Sequence, residues 1–444
     1  MIRTTHAGIN PPAKTRSLSG AEVITITTLG NALEFFDFTA YTFFSILLGK
    51  VFFPTLSPIF QLGMTTGTFA IGYFFRPLGG FLIGRYADKA GRKSALTLTV
   101  TLMAASSAII GLAPTFAQIG VVAPCLILLS RIMQGISAGG EVGASTALLI
   151  EYAGPRQRGF FGSWQFASQS LGIACGAAIS AGLSRFLPYD QLFAWGWRIP
   201  FLIGTVIAPV GIYIRVRLME TLHGAGNAGA IRHGAPGHEA PRHTLRDHLK
   251  ELVLGTLLTF GGTSANFIIL FSLPIIAVKS LGMSQADALL AGIVTGVMGF
   301  ALSPIGGWVS DRIGRKPVIA LSRIAVIALV IPLFIWLSRS PSVFSLLVVE
   351  AVLSSIAAFG GATAVGYMTE LFPREIRATG MAIVYSCGVA LSGAFAQLVS
   401  TYFVGISSNI MPAAWYVVIC LALTSATLIG MKETGGKQSK NTLD

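Results

Sequence analysis

Stretches of apolar residues, separated by short charged or Pro/Gly-rich breaks, set the pattern of this 444-residue chain. Twelve can be read, at approximately 22–48, 61–84, 95–114, 122–149, 160–184, 196–217, 251–278, 287–309, 317–338, 343–369, 378–403 and 411–431. Each is near the ~20 residues a helix needs to cross a bilayer, and a helix satisfies its own backbone polar groups there. The pattern predicts an all-α membrane protein with twelve spanning helices. The stretch 218–246 breaks the rhythm with His223-Gly-Ala-Gly, Arg232-His-Gly-Ala-Pro and Arg242-His, and is too polar for lipid. It reads as a flexible linker. The chain then divides into a tail at 1–20, a six-helix half at 21–217, a linker at 218–250, a second six-helix half at 251–432 and a tail at 433–444.

Two charged loops recur across that division. Gly84-Arg-Tyr-Ala-Asp88-Lys-Ala-Gly91-Arg92-Lys93 and Gly307-Trp-Val-Ser-Asp311-Arg-Ile-Gly314-Arg315-Lys316 occupy equivalent places in the two halves. So do Glu151-Tyr-Ala-Gly-Pro155-Arg-Gln-Arg158 and Glu370-Leu-Phe-Pro373-Arg-Glu-Ile-Arg377. The chain is one half-module used twice, as expected of two pseudo-symmetric halves rocking around a central site. Asp88, Arg92, Glu151, Arg158, Asp311, Arg315, Glu370 and Arg377 form the expected gating latch, since acids and bases at helix ends can pair in one conformation and separate in the other.

Composition sharpens the membrane reading. Hydrophobic residues make up 53% and charged residues 11%, where a soluble domain carries roughly 25% charge. The net charge of +13 is a topology signal, and no nucleic-acid partner is expected. Of the Lys and Arg residues, Lys50, Arg185, Arg198, Lys279 and Arg339 lie on one side, and Arg76, Arg131 and Arg323 lie inside spans. All the others fall on the side of the two termini, which the positive-inside rule makes cytoplasmic. A bacterial inner-membrane location and a monomer are expected. The four cysteines lie inside spans without CxxC spacing, and the six histidines lie in the N-terminal tail or at 223–248. No metal, cofactor or enzymatic activity is expected.

Charges within spans are costly unless paired or hydrated, so each requires a reason. Glu34 and Asp37 share one face of the first helix, with Tyr41 a turn beyond. Either acid can serve as a proton carrier or as a fixed counter-ion for Arg76 or Arg131. Glu141, ten residues after Arg131, is a further candidate for proton coupling, and Glu350 lies early in the tenth span. Arg131 and Arg76 suit an anionic ligand, while Arg323 is expected to snorkel to an interface. Tyr41 is a candidate substrate ligand, and Gln165, Gln169 and Asn266, with neighbouring Ser168, Thr263 and Ser264, are candidate ligands to substrate or bonds between helices. Trp164, Trp195 and Trp197 are expected interface anchors.

These motifs resemble the major facilitator superfamily: residues 84–93 and 307–316 are similar to its signature loop, and Arg131-Ile-Met-Gln134-Gly135 to its fourth-helix motif. Glu34-Phe-Phe-Asp37-Phe, Phe75-Arg76-Pro77-Leu78-Gly79-Gly80, Ser137-Ala-Gly-Gly140-Glu141 and Trp195-Gly-Trp-Arg198-Ile-Pro200-Phe201 resemble, more narrowly, the metabolite:proton symporters. The resemblance spans about residues 20–432 and implies the major facilitator fold. It also implies proton-coupled import of a small carboxylate such as citrate, tricarballylate or 2-oxoglutarate, the alternative being betaine, proline or shikimate. Carried over by position, Glu34, Asp37 and Arg131 fall in the proton and substrate region. The seventh span lacks the tyrosines of citrate carriers, and the long C-terminal extension of osmosensing members has no counterpart.

Overall fold

In the computed structural model, residues 19–205, 244–407 and 409–435 are described. Most of the linker and of both tails falls outside them. Among the described residues the ordered elements are helices, with no strand. The first span is α1 (Gly20–Phe43) followed by α2 (Ser45–Phe52), which turns by 70° at Phe44. A capping box between Ser19 and Glu22 starts α1. Next come α3 (Pro58–Ala90), α4 (Arg92–Leu112), α5 (Val122–Tyr152) and α6 (Arg158–Phe186). A further helix, belonging to the sixth span, runs over 199–205 and then leaves the described residues.

In the second half, α7 (Leu249–Asn266) passes through a π-helical segment, Phe267–Ser272, into α8 (Leu273–Leu281). Pro274 accounts for the π segment: it lacks an N–H, and its ring crowds the carbonyl of Leu270. Then follow α9 (Gln285–Ile313), α10 (Arg315–Arg339), α11 (Val343–Glu370), α12 (Arg377–Ser407) and α13 (Met411–Ser425). Eight described helical stretches are long and apolar enough to cross a membrane, and nine with the bent first pair. Helices α3 and α12, of 33 and 31 residues, match them in length. With the partly described helix of the sixth span, these account for the twelve apolar stretches. The two repeated loops turn at Gly91 (φ 94°) and Gly314 (φ 109°), a backbone region that side chains with a Cβ rarely enter.

Small residues bring the helices into contact, because lipid supplies no hydrophobic drive between them. A Cβ on Gly135 would lie 2.0 Å from the Gly72 carbonyl oxygen, and one on Gly139 would lie 2.0 Å from that of Arg76. Helices α3 and α5 therefore touch backbone to backbone, which fixes where Arg76 and Arg131 project. A second seam joins the halves: Gly307, Gly299, Gly296 and Gly292 of α9 meet Gly159, Ser170, Ala174 and Ala177 of α6 in turn. The pairs run in opposite order along the two chains, so the helices are antiparallel along nearly their whole length.

Candidate functional site

The N-terminal half carries two buried charge pairs. Arg76 Nη2 donates to Glu34 Oε1 at 3.0 Å, with both side chains almost fully buried. Its guanidinium also lies 4.4 Å from the Tyr73 ring centre and 5.0 Å from that of Phe38. Deeper in the half, Arg131 Nη1 lies 3.8 Å from Asp37 Oδ2. Gln134 bridges them: Arg131 donates to its side-chain oxygen, and its amide donates to Asp37. Ser107 donates to the other Asp37 oxygen at 3.1 Å. Arg131 is packed 3.6 Å from the Tyr41 ring centre, and the Tyr41 hydroxyl is held 2.8 Å from Thr68 Oγ1. Glu141 accepts from Thr99, and a void of about 10 Å³ lined by Glu34, Ser107, Ser137 and Glu141 separates the acids.

A larger cavity of about 130 Å³ lies between the halves. Arg76, Gln169 and Asn266 line it, together with the rings of Phe35, Tyr73, Phe166, Phe267 and Tyr385. Gln169 Nε2 crosses to the other half, donating to the Tyr385 hydroxyl at 3.3 Å. Three of the candidate ligands lie elsewhere. Arg131 and Tyr41 are held within the N-terminal half by the contacts just given. Gln165 is buried there too, its side-chain oxygen accepting from Ser145 at 2.8 Å. Arg131 Nη1, the Tyr41 hydroxyl and the Gln165 side-chain oxygen have partners behind the cavity wall, whereas Arg131 Nε and Nη2 and Gln165 Nε2 have no hydrogen-bond partner among the described residues.

Arg323 corrects the expectation of a snorkelling residue. It is 6% exposed and lines the cavity, because its α10 position faces α7 and α13 instead of lipid. Nη1 donates to Thr424 Oγ1 at 2.9 Å and Nη2 donates to the Leu258 carbonyl. No acid pairs with it among the described residues. A burial pattern cannot be read from an almost uniformly apolar helix such as α10, so the sequence carried no sign of it. Trp197 is also buried, edge-on to Phe52, instead of lying at an interface.

The repeated loops clasp the halves together at one face. Asp88 Oδ2 accepts from the Thr379 backbone N–H at 2.9 Å and from the Thr379 hydroxyl, and Oδ1 accepts from Ala378 at 3.3 Å. It thereby caps the first turn of α12, in the other half. Asp311 does the same in reverse, accepting from the N–H groups of Gly159 and Phe160 at 2.8 and 2.9 Å at the start of α6. Arg92 binds Asp88 and Glu151, and Arg315 binds Asp311 and Glu370. Arg377 crosses to Glu151 at 3.6 Å. Arg158 stands apart, its Nε without a hydrogen-bond partner among the described residues. Asp88 and Asp311 each face the positive end of a helix in the other half.

Two helical halves, one cavity between them and reciprocal caps at one face define a membrane carrier. The Major Facilitator Superfamily model matches residues 29–336, and a "Sugar (and other) transporter" model matches 240–442. The chain belongs to the major facilitator superfamily. It is 34% identical to a citrate-proton symporter of Klebsiella pneumoniae over 407 residues, covering 90% of each chain. It is 32% identical to a proline/betaine transporter of Salmonella typhimurium (94% of this chain, 85% of that protein). With the alpha-ketoglutarate permease of Escherichia coli K12 it shares 30% identity over 90% of this chain and 91% of the permease. The solved proton:xylose symporter XylE superposes with a TM-score of 0.75 over 94% of this chain and 97% of that one, at 18% identity.

Proposed function

We propose that the protein is a proton-coupled symporter importing a small carboxylate, di- or tricarboxylates first, across a bacterial inner membrane by alternating access. The observation that carries this reading is Arg323, a buried guanidinium on the cavity wall without an acid partner among the described residues. A buried cation is costly unless paired, and a substrate carboxylate is the counter-ion that this position lacks. Arg76, already neutralised by Glu34, adds a second guanidinium on the facing wall. Two guanidiniums can hold two carboxylates of one ligand. The cavity is smaller than the roughly 300–1,000 Å³ of drug-sized sites, which suits a small metabolite. Asp37 and Glu34, tied to Arg131 and Arg76, are the coupling acids of this scheme, with Glu141 beside them.

Lys and Arg enrichment puts the clasped face in the cytoplasm, with the termini on that side. The caps of Asp88 and Asp311 then hold the carrier shut toward the cytoplasm, and must break for release. The second reading, a zwitterion such as betaine or proline, is favoured by the five aromatic rings on the cavity wall, which suit an onium group. Proteoliposomes with an inward proton gradient, offered radiolabelled citrate, 2-oxoglutarate and betaine in turn, distinguish the two. Accumulation of the carboxylates supports the first reading, and accumulation of betaine alone supports the second.

A further inference from the structure

The mechanism above places every coupling acid in the N-terminal half. One acid in the C-terminal half remains unused. Glu350 is 0% exposed within α11, and Thr295 Oγ1 of α9 donates to its Oε2 at 2.8 Å. Its Oε1 has no hydrogen-bond partner among the described residues, and it makes no ion pair there. An ionised carboxylate with one bare oxygen and no cation is the most costly group to bury, whereas a neutral carboxyl tolerates the site.

Its position gives it a route to solvent and substrate. Ser354, Ala357 and Gly361, at helical spacing beyond Glu350 on α11, all line the central cavity, as does Thr295 itself. Glu350 therefore lies one turn above the cavity, on the cavity-facing side of α11, away from the clasped loops. The internal repeat makes the placement more pointed. Glu151 and Glu370 occupy matching places in the halves, as do Arg158 and Arg377, and in the same register the counterpart of Arg131 is Glu350. One half has a paired base at this depth, and the other has a lone acid.

The charged groups of the neighbouring helices lie at other depths. Asp287 of α9, Arg339 of α10 and Arg185 of α6 are near helix ends far from the loops, while Asp311, Arg315, Arg158 and Arg377 are at the loops. Lys250 and Glu251 open α7 at the loop end. By helical rise, Arg323 lies roughly 18 Å nearer the loops than Glu350. On α5, Glu141 is bound by Thr99, and Arg131 is committed to Asp37 and Tyr41. On α12, the Tyr385 hydroxyl is held by Gln169. The π segment Phe267–Ser272 has no acid or base.

We propose that Glu350 is a second proton-carrying carboxyl: neutral while held by Thr295 in this clasped state, and releasing its proton to water once α9 and α11 part during the cycle. In that step the Glu350 O–H bond breaks, a water molecule accepts the proton, and the carboxylate is reprotonated from the opposite side on return. The transport part of this proposal rests on the proton-coupled reading above; the spectroscopic part does not.

Infrared difference spectra of purified protein across a pH jump test it without any substrate. The wild type should show the C=O band of a neutral carboxyl that Glu350→Gln lacks, and a band retained in that variant overturns the assignment. In proteoliposomes, Glu350→Gln should keep substrate exchange at equal pH and lose accumulation driven by a pH gradient. Wild-type accumulation there overturns the coupling role even if the band is assigned. Should Glu350→Gln fail to fold, Thr295→Val decides: loss of the one donor to Glu350 among the described residues should move the band to higher frequency, and an unmoved band contradicts the proposal.

Discussion

Asp88 caps the helix that contains Thr379, its Oδ2 accepting from the Thr379 backbone N–H at 2.9 Å, although the two residues belong to opposite halves of the repeat. The reciprocal bond of Asp311 to Gly159 makes the arrangement two-fold. Neither cap can persist once the halves rotate apart at this face. The strength of these caps therefore sets how strongly the clasped state is favoured.

Removing one cap should open the clasp without unfolding the protein. Asp88→Ala deletes an N-cap worth about 1–2 kcal/mol, which shifts the population of the clasped state by about 5–30-fold. Distance measurements between spin labels placed near Ala90 and Glu375 should show a new, longer population in the variant. An unchanged distance distribution would remove Asp88 from the gate.

Arg323 should be the residue most sensitive to loss of charge at the cavity. Arg323→Gln keeps a polar amide donor but removes the cation, so substrate affinity should fall by roughly 1.5–3 kcal/mol, about 10–150-fold. Arg323→Lys should recover part of this, since a point charge does not reproduce a bidentate fork. Calorimetric titration of the folded variants measures both. An unchanged dissociation constant in Arg323→Gln would return the anchoring role to Arg76.

Asp37→Asn keeps the size of the side chain while removing the titrating group; its one side-chain oxygen can accept from Gln134, and its amide can donate to the Ser107 hydroxyl in place of the bond that Asp37 accepts. Accumulation against a gradient should be lost, and exchange at equal pH should survive. Normal gradient-driven accumulation would pass the coupling role to Glu34 or Glu141.

The seam between α3 and α5 should tolerate no side chain at Gly139. A methyl group there would sit 2.0 Å from the Arg76 carbonyl oxygen, so the helices must separate. Overpacking of this kind costs roughly 1–3 kcal/mol and also displaces the guanidinium of Arg76. Gly139→Ala should lower the melting temperature in detergent, and a wild-type value would show that the helices can part freely.

Much of this architecture was legible in the sequence, because lipid imposes a length and a polarity on every span. The repeated Asp–Gly–Arg loops were legible for the same reason: charge between apolar runs marks a surface. Helix orientation within the bundle was not. In helices apolar on every side, periodicity cannot tell a cavity-facing position from a lipid-facing one, so it does not show that Arg323 lines the cavity. The pairings Glu34–Arg76 and Asp37–Arg131 connect helices far apart in sequence. Spacing along α1 showed that the acids share a face, but not which arginine each would meet.

The central claim is that the cavity between the halves carries a carboxylate together with protons. Uptake of radiolabelled citrate and 2-oxoglutarate into proteoliposomes, with and without an inward proton gradient, tests it most directly. The account predicts accumulation of at least one of them that depends on the gradient, collapses with a protonophore and is strongly reduced in Arg323→Gln at substrate concentrations that half-saturate the wild type. Uptake indifferent to the gradient, or fully retained in Arg323→Gln, would contradict it.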